Sequence, residues 1–227
     1  GLAVAGKMES QLRGINMSIR NAQDGVGLIQ TAESGLNEIR NMVLRIRELA
    51  VQMANGIYEN TPDRSNAQLE VTALIDQVTL IAENTRFNDV AVLDGSFTGV
   101  TIQAGNTTAE TITLSFVDVA SSGLSIDTAT VATQSDATVA MGTMDTALET
   151  ISQEQAKFGS LINRLNYSIA NQSNASVMTE QAIGRVMDAD FAAETTNLSK
   201  QQILNQAATS MLAQANQSKQ SILALLQ

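Results

Sequence analysis

Apolar residues recur at alternating intervals of three and four along most of this chain, and that spacing decides what it can become. Ala5, Met8, Leu12, Ile15, Ile19, Ala22, Val26 and Ile29 all obey it. A helix with such a stripe must lay it against another rod. The phase slips once and resumes through Ala32, Leu36, Ile39, Val43, Ile46, Ala50 and Met53. Two threes in succession make a stammer, which locally overwinds a supercoil. Gly25 and Gly27 flank the slip, and close helix packing or a bend is the ordinary reason for glycine there. A phosphate-cradling loop needs a preceding strand and a following Lys-Ser or Lys-Thr, which DGVGLIQ lacks.

Asn55-Gly56 is expected to close this first helix, because both residues tolerate a left-handed cap. Thr61 as N-cap and Pro62, the only proline, at the first helical position announce a second helix. Its stripe is Ala67, Val71, Leu74, Val78 and Ile81, it should end between Asn84 and Phe87, and the short connection folds it back antiparallel. VAVLDG, VTIQAG and TITLSF then read as hairpin strands between Asp-Gly and Gly-Asn turns. Residues 117–140 are small and polar, with too little apolar surface to build much core, and are expected to be an exposed loop with room for one more strand. A third long helix follows, with Met144, Leu148, Ile151, Phe158, Ile162, Leu165, Ile169, Ile183 and Val186 on its stripe and Gln155 and Gln172 interrupting it. The last stripe, Leu204, Ala208, Met211, Ala215, Ser218, Ile222 and Leu225, lies on a tail with only Lys200 and Lys219 charged after Glu194. Such a helix is marginal in water by itself and wants a partner that no other segment here supplies.

These patterns set the fold class: mainly α, long antiparallel helices in a coiled-coil-like bundle with a small β-hairpin region. The organisation expected is an N-terminal helical rod over 1–87, a hairpin and short variable loop over 88–140, a C-terminal rod helix over 141–188 and a terminal helix over 189–227, the last disordered in the isolated chain. With 44% hydrophobic but only 3% aromatic residues, the cores should be thin layers of aliphatic side chains rather than deep pockets.

Composition also excludes chemistry. The chain has no His, Cys or Trp, so the commonest general base, zinc ligand and soft nucleophile are missing together. A net charge of −10 with no run of Lys and Arg argues against nucleic acid. No apolar stretch is long enough to span a bilayer, and the polar face of 198–227 carries Gln, Asn and Ser rather than the Lys and Arg of a membrane-surface helix. Asp188, Asp190 and Glu194 form the best metal cluster but lack calcium-loop spacing, and Asp190 reads better as an N-cap with Glu194 in the first turn. A two-carboxylate glycosidase would need aromatic sugar platforms, which this composition does not offer. Thr107, Thr108, Ser121, Ser122 and Ser125 are candidate acceptors of O-linked sugar, though solvated loop residues need no such role. In RIRELAVQMANG, Arg45 and Glu48 sit three apart and read first as a surface ion pair over a half-buried apolar row of Leu44, Ile46, Leu49 and Val51.

Taken in order, RIRELAVQMANG, TRFNDVAVLDG, IQAGNTTAETITL, INRLNYSIAN, RVMDADFAAET and SKQQILNQAATSMLAQANQSKQSILALLQ resemble bacterial flagellin, with only about residues 117–140 lacking a counterpart. The resemblance implies a structural subunit of the flagellar filament, secreted and extracellular, with no enzyme activity and no cofactor. It also implies that large outer domains are absent and that the family's first core helix, the partner of the tail, precedes Gly1, so that this chain alone is not expected to polymerise. The partners it implies are further copies of the chain, an export chaperone, a cap protein and, in flagellins that vertebrates detect, a Toll-like receptor. The family's contact residues fall here on Arg45, Leu49 and Glu70, and its filament-core stripe on Leu204, Ala208, Met211, Ala215, Ile222 and Leu225. The rival reading is a cell-surface module that uses the same fold to hold a polysaccharide or a host surface.

Overall fold

The structure, a computed structural model, describes the backbone of residues 1–225 and their side chains except those of 188–191 and 220–227. Three helices account for most of it: α1 (Leu2–Met53), α2 (Ser65–Asn84) and α3 (Gln134–Leu225), with strands β1 (Arg86–Phe87), β2 (Val90–Ala91), β3 (Val100–Gln103) and β4 (Thr111–Leu114) between the second and third. They form two compact units, residues 14–174 and residues 1–13 with 175–227.

In the larger unit the stripe of α1 is the core. Ala32, Leu36, Ile39, Val43, Ile46 and Ala50 are wholly buried, and Met53 nearly so. Val71, Val78 and Ala82 of α2 and Met144, Ile151, Phe158 and Leu165 of α3 join them in one apolar cluster. Both α2 and α3 run antiparallel to α1. Arg45 meets Glu70 while Gly35 faces Thr85, and Arg47 meets Asp145 while Asn37 meets Gln155. The phase slip breaks no helix, since α1 runs straight through it. Gly25 answers to close packing: a Cβ there would lie 3.4 Å from both Ile102 of β3 and Leu165 of α3.

The helix ends depart from expectation in an instructive way. Neither Asn55 nor Gly56 adopts a positive φ, so no left-handed cap closes α1. Arg64 closes it instead. This side chain is 4% exposed and has no carboxylate partner among the described residues. Its Nε donates to Met53 O at 2.8 Å and one Nη to Asn55 O at 2.9 Å, while the other reaches Tyr58 O and Asn60 Oδ1. The orphan carbonyls of the helix thus receive a cation at the negative end of the macrodipole. Gln134 Nε2 adds a bond to Ala54 O at 3.0 Å. Thr61 is extended, as an N-cap would be, but α2 begins only at Ser65, after a wide turn over Asn60–Arg64.

The β region is smaller than its strand-like sequence promises. VAVLDG contributes two strand residues, and its Val92 and Leu93 are wholly buried in bends. The β1–β2 turn is Asn88-Asp89, both at positive φ (49° and 63°), as a two-residue hairpin of this hand requires. Strands β3 and β4 pair antiparallel with Val100 opposite Leu114, and Ile112 and Leu114 point into the core while Thr111 and Thr113 face out. Phe97 stacks on Phe116 with ring centroids 4.8 Å apart, and Phe158 meets Phe116 edge to face at 4.7 Å.

The exposed loop expected over 117–140 is neither exposed nor that long. Val119, Leu124, Ile126 and Val131 are buried, and α3 already starts at Gln134. A few apolar residues suffice because polar ties hold the backbone down. Gln68 Oε1 accepts from Val131 N at 2.6 Å and Thr130 Oγ1 at 3.0 Å, Ser121 and Thr79 share a 2.7 Å hydroxyl bond, and the buried Glu154 accepts from Val117 N at 3.3 Å. Thr133 and Asp136 then start α3 with a reciprocal cap: the Asp136 N–H donates to Thr133 Oγ1, whose hydroxyl donates to the Asp136 carboxylate.

In the smaller unit the first turns of α1 lie with residues 175–187 of α3, burying Ala5 and Ser176. From Ala192 to Lys219 α3 stays helical, and every described side chain is exposed. The backbone stays helical across residue 189. Asp190 therefore lies inside a helix and is no N-cap, because nothing in that composition, free of Pro and Gly, stops a helix once begun.

Candidate assembly surfaces

On the larger unit, α1 and α2 lie side by side and present one charged face. Arg45 Nε donates to Glu70 Oε1 at 2.8 Å and its Nη1 to Glu48 Oε2 at 3.3 Å. The hydrogen bond donated to Glu70, then that to Glu48, hold the guanidinium above its ordinary pKa. On the opposite side of α1, Arg47 forks onto Asp145 of α3 at 2.5 and 3.4 Å, and that hydrogen bonding raises its pKa likewise. All these groups are solvent-accessible, so they set orientation and selectivity more than stability. Val51, Ile57 and Leu69 are exposed apolar side chains on the same two helices and their connection.

The structure brings Arg45 and Glu70 together as the sequence places them, and it removes Leu49 from the surface. Leu49 is 4% exposed and belongs to the apolar core. It supports the charged face from below. Of the row beneath the ion pair, Ile46 is fully buried and Val51 is out in solvent.

On the smaller unit the apolar stripe of α3 is uncovered. Leu204 and Met211 are 58% and 70% exposed, Ala208 and Ala215 are exposed with them, and Leu198, Ile203 and Leu212 widen the band. The side chains of Ile222 and Leu225 lie outside the described residues, as do those of Asp188 and Asp190; Glu194 is exposed. Of the hydroxyls considered for O-linked sugar, Thr107, Thr108, Ser122 and Ser125 are exposed, whereas Ser121 is 8% exposed and bonded to Thr79. Among the described residues no helix is long and apolar enough to cross a membrane.

Sequence reasoning missed Arg64 altogether. Its only signal was a lone cation next to a helix start, opposite the end of the preceding helix.

Long helices packed in register, a small β region and a broad uncovered stripe define a helical assembly subunit rather than a pocket protein. The chain belongs to the bacterial flagellin family. Residues 1–98 match the family's N-terminal helical region and 141–226 its C-terminal helical region. It is 36% identical to the flagellin of Halalkalibacterium halodurans and 38% to the flagellar filament 33 kDa core protein of Treponema phagedenis, in each case over all of this chain and 84% of the relative. The crystal structure of Bacillus cereus flagellin is similar in fold, with a TM-score of 0.61 at 32% identity over 67% of this chain and 88% of that one. A flagellar hook-associated protein from Vibrio parahaemolyticus shares the fold at TM-score 0.67 and 12% identity. Flagellin is a structural protein family, and this chain is a structural subunit of the flagellar filament. Neither the fold nor these relatives support the polysaccharide-binding alternative.

Proposed function

We propose that the chain enters the filament through two separate faces, the Arg45–Glu48–Glu70 face of α1 and α2 and the apolar stripe of residues 192–219, and that no residue carries out chemistry. The observation that carries this reading is the stripe: a helix with Leu198, Ile203, Leu204, Met211 and Leu212 all more than half exposed stays wet unless other subunits cover it. The charged face fixes which neighbour docks and how it is turned, because paired Arg and Glu on rigid helices penalise misaligned partners.

Export from the cell, an export chaperone, a cap protein at the growing end and, for a vertebrate host, a Toll-like receptor complete the reading by family analogy. The domain limits belong to it as well, with 1–87 and 141–188 as rod, 88–140 as hairpin and loop, and 189–227 as filament core. Electron microscopy of the full-length protein after seeding tests the assembly claim. Filaments are expected from the parent, none from the Leu204→Asp/Met211→Asp double variant, and sparse or misshapen ones from Arg45→Ala, whose monomer stability should match the parent. A parent that stays monomeric at every concentration, or a double variant that polymerises equally well, overturns it. Receptor binding, if present, should fall in Arg45→Ala and Glu70→Ala; undiminished binding refutes that assignment.

A further inference from the structure

The turn that Arg64 organises also carries a chemical liability. Asn55-Gly56 is the sole Asn-Gly pair in the sequence, both residues are exposed, and both lie beyond the last helical residue, Met53. The Asn55 side chain is held over the following backbone, its Oδ1 accepting the Ile57 N–H at 3.3 Å. That bond polarises the Cγ carbonyl. Among the described residues nothing accepts the Gly56 N–H, so its nitrogen is free to lose a proton and attack, and it carries no Cβ to shield it.

We propose that Asn55 is a site of spontaneous deamidation and that Arg64 directs the product toward isoaspartate. The Gly56 nitrogen, its proton taken by solvent base, bonds to Asn55 Cγ, and the tetrahedral adduct expels the side-chain nitrogen as ammonia. This closes a succinimide. Water then opens the ring at one of two carbonyls. Attack at the former main-chain carbonyl breaks its bond to the Gly56 nitrogen, releases an α-carboxylate and leaves the chain running through Cβ and Cγ. That carbonyl is the one whose oxygen accepts Arg64 Nη2 at 2.9 Å. A guanidinium so placed stabilises the oxyanion of that attack and afterwards pairs with the new carboxylate. The net change is one amide and one water converted to one carboxylate and one ammonium ion, with no other reagent.

The test is peptide mapping by mass spectrometry on native protein aged in mildly alkaline buffer, with enzymatic methylation to count isoaspartate, run beside the same protein in urea. Folded protein should gain the acid mass at Asn55 at a rate comparable to the unfolded chain, with isoaspartate in larger excess than in urea. Gly56→Ala should slow the reaction about tenfold, as expected for a shielded, stiffer backbone. It should fold normally, because Gly56 has no positive φ and the added Cβ would sit 3.5 Å from Gln134 Nε2. Arg64→Lys should lower the isoaspartate share without abolishing deamidation. Protection of Asn55 in the folded state by tenfold or more over the urea sample overturns the site, and an isoaspartate share that is unchanged on folding and in Arg64→Lys overturns the role of Arg64.

Discussion

Truncating Arg64 is the sharpest test of how this fold is held together, because one side chain closes α1 and orders the turn into α2. The bond to Met53 O is buried, so Arg64→Ala leaves a carbonyl with neither protein nor water, at a cost of about 1–3 kcal/mol. The bonds to Tyr58 O, Asn55 O and Asn60 Oδ1 are only partly buried. Water replaces them at about 0.5 kcal/mol each, and the lost cation at the helix end adds about 0.3–1 kcal/mol. The expected loss is therefore about 3–5 kcal/mol, at the high end for a single substitution. In a unit of this size that lowers Tm by about 10 °C. Arg64→Met refills the volume without donors and should fare little better than Ala. Arg64→Lys keeps the cation but has one nitrogen, which cannot reach Met53, Tyr58 and Asn55 together, so about 2 kcal/mol should be lost. Urea unfolding followed by the emission of Tyr58, which touches the turn, reads the effect locally. A loss below about 1 kcal/mol in both Ala and Met variants would show that water caps this helix as well as Arg64 does.

Gly95 sits at φ +79°, and an added Cβ would lie 2.8 Å from Asp118 Cβ. Gly95→Ala should thus cost about 1–3 kcal/mol by denaturant titration, and an unchanged midpoint would refute the close approach. The Asp94 carboxylate is held below its ordinary pKa by the Ser96 hydroxyl and then by the Ser96 N–H. A depressed native pKa gives stability that is present above the unfolded pKa and lost as pH falls through the native one. The advantage of the parent over Asp94→Asn should therefore shrink on acidification, and a difference independent of pH would sink the assignment. In the monomer, backbone amides of residues 192–219 should exchange within the dead time of a conventional experiment, while those of Leu36–Ala50 stay protected; slow exchange in the tail would mean it already has a partner.

The helices were legible because burial follows their stripe almost residue for residue. Of the two three-four series on α1, Ala5, Ile15, Ala22 and Ile29 are buried and Ile19 and Val26 half-buried in the first, and the second is buried throughout. What escaped was non-periodic. Arg64 works by reaching carbonyls up to 11 positions earlier in the chain, which no local pattern encodes. The segment 117–131 looked solvated because its apolar residues are sparse, yet Val119, Ile126 and Val131 each fill a place left by the helices while Gln68 and Glu154, on α2 and α3, supply the hydrogen bonds. Leu49 was misplaced for another reason. The family resemblance set it beside Arg45 on the contact face, whereas the pattern of residues had it half-buried, and the packing of α1 in the larger unit covers it.

The contrast between the two parts of α3 carries the functional argument furthest. Over residues 144–165 its apolar positions are filled by α1, α2 and the loop, and removing any of them opens a cavity in a closed core. Over 192–219 the same helix, with comparable spacing of Leu, Ile, Met and Ala, leaves every side chain exposed. A chain selected only to fold would replace such a stripe with charge, as surfaces elsewhere on this acidic protein are charged, since charged helical faces keep monomers apart. The tail instead carries two lysines in its last 33 residues and otherwise neutral Gln, Asn, Ser and Thr around the stripe. Neutral flanks let identical helices approach without mutual repulsion, which suits contact between copies of one acidic chain.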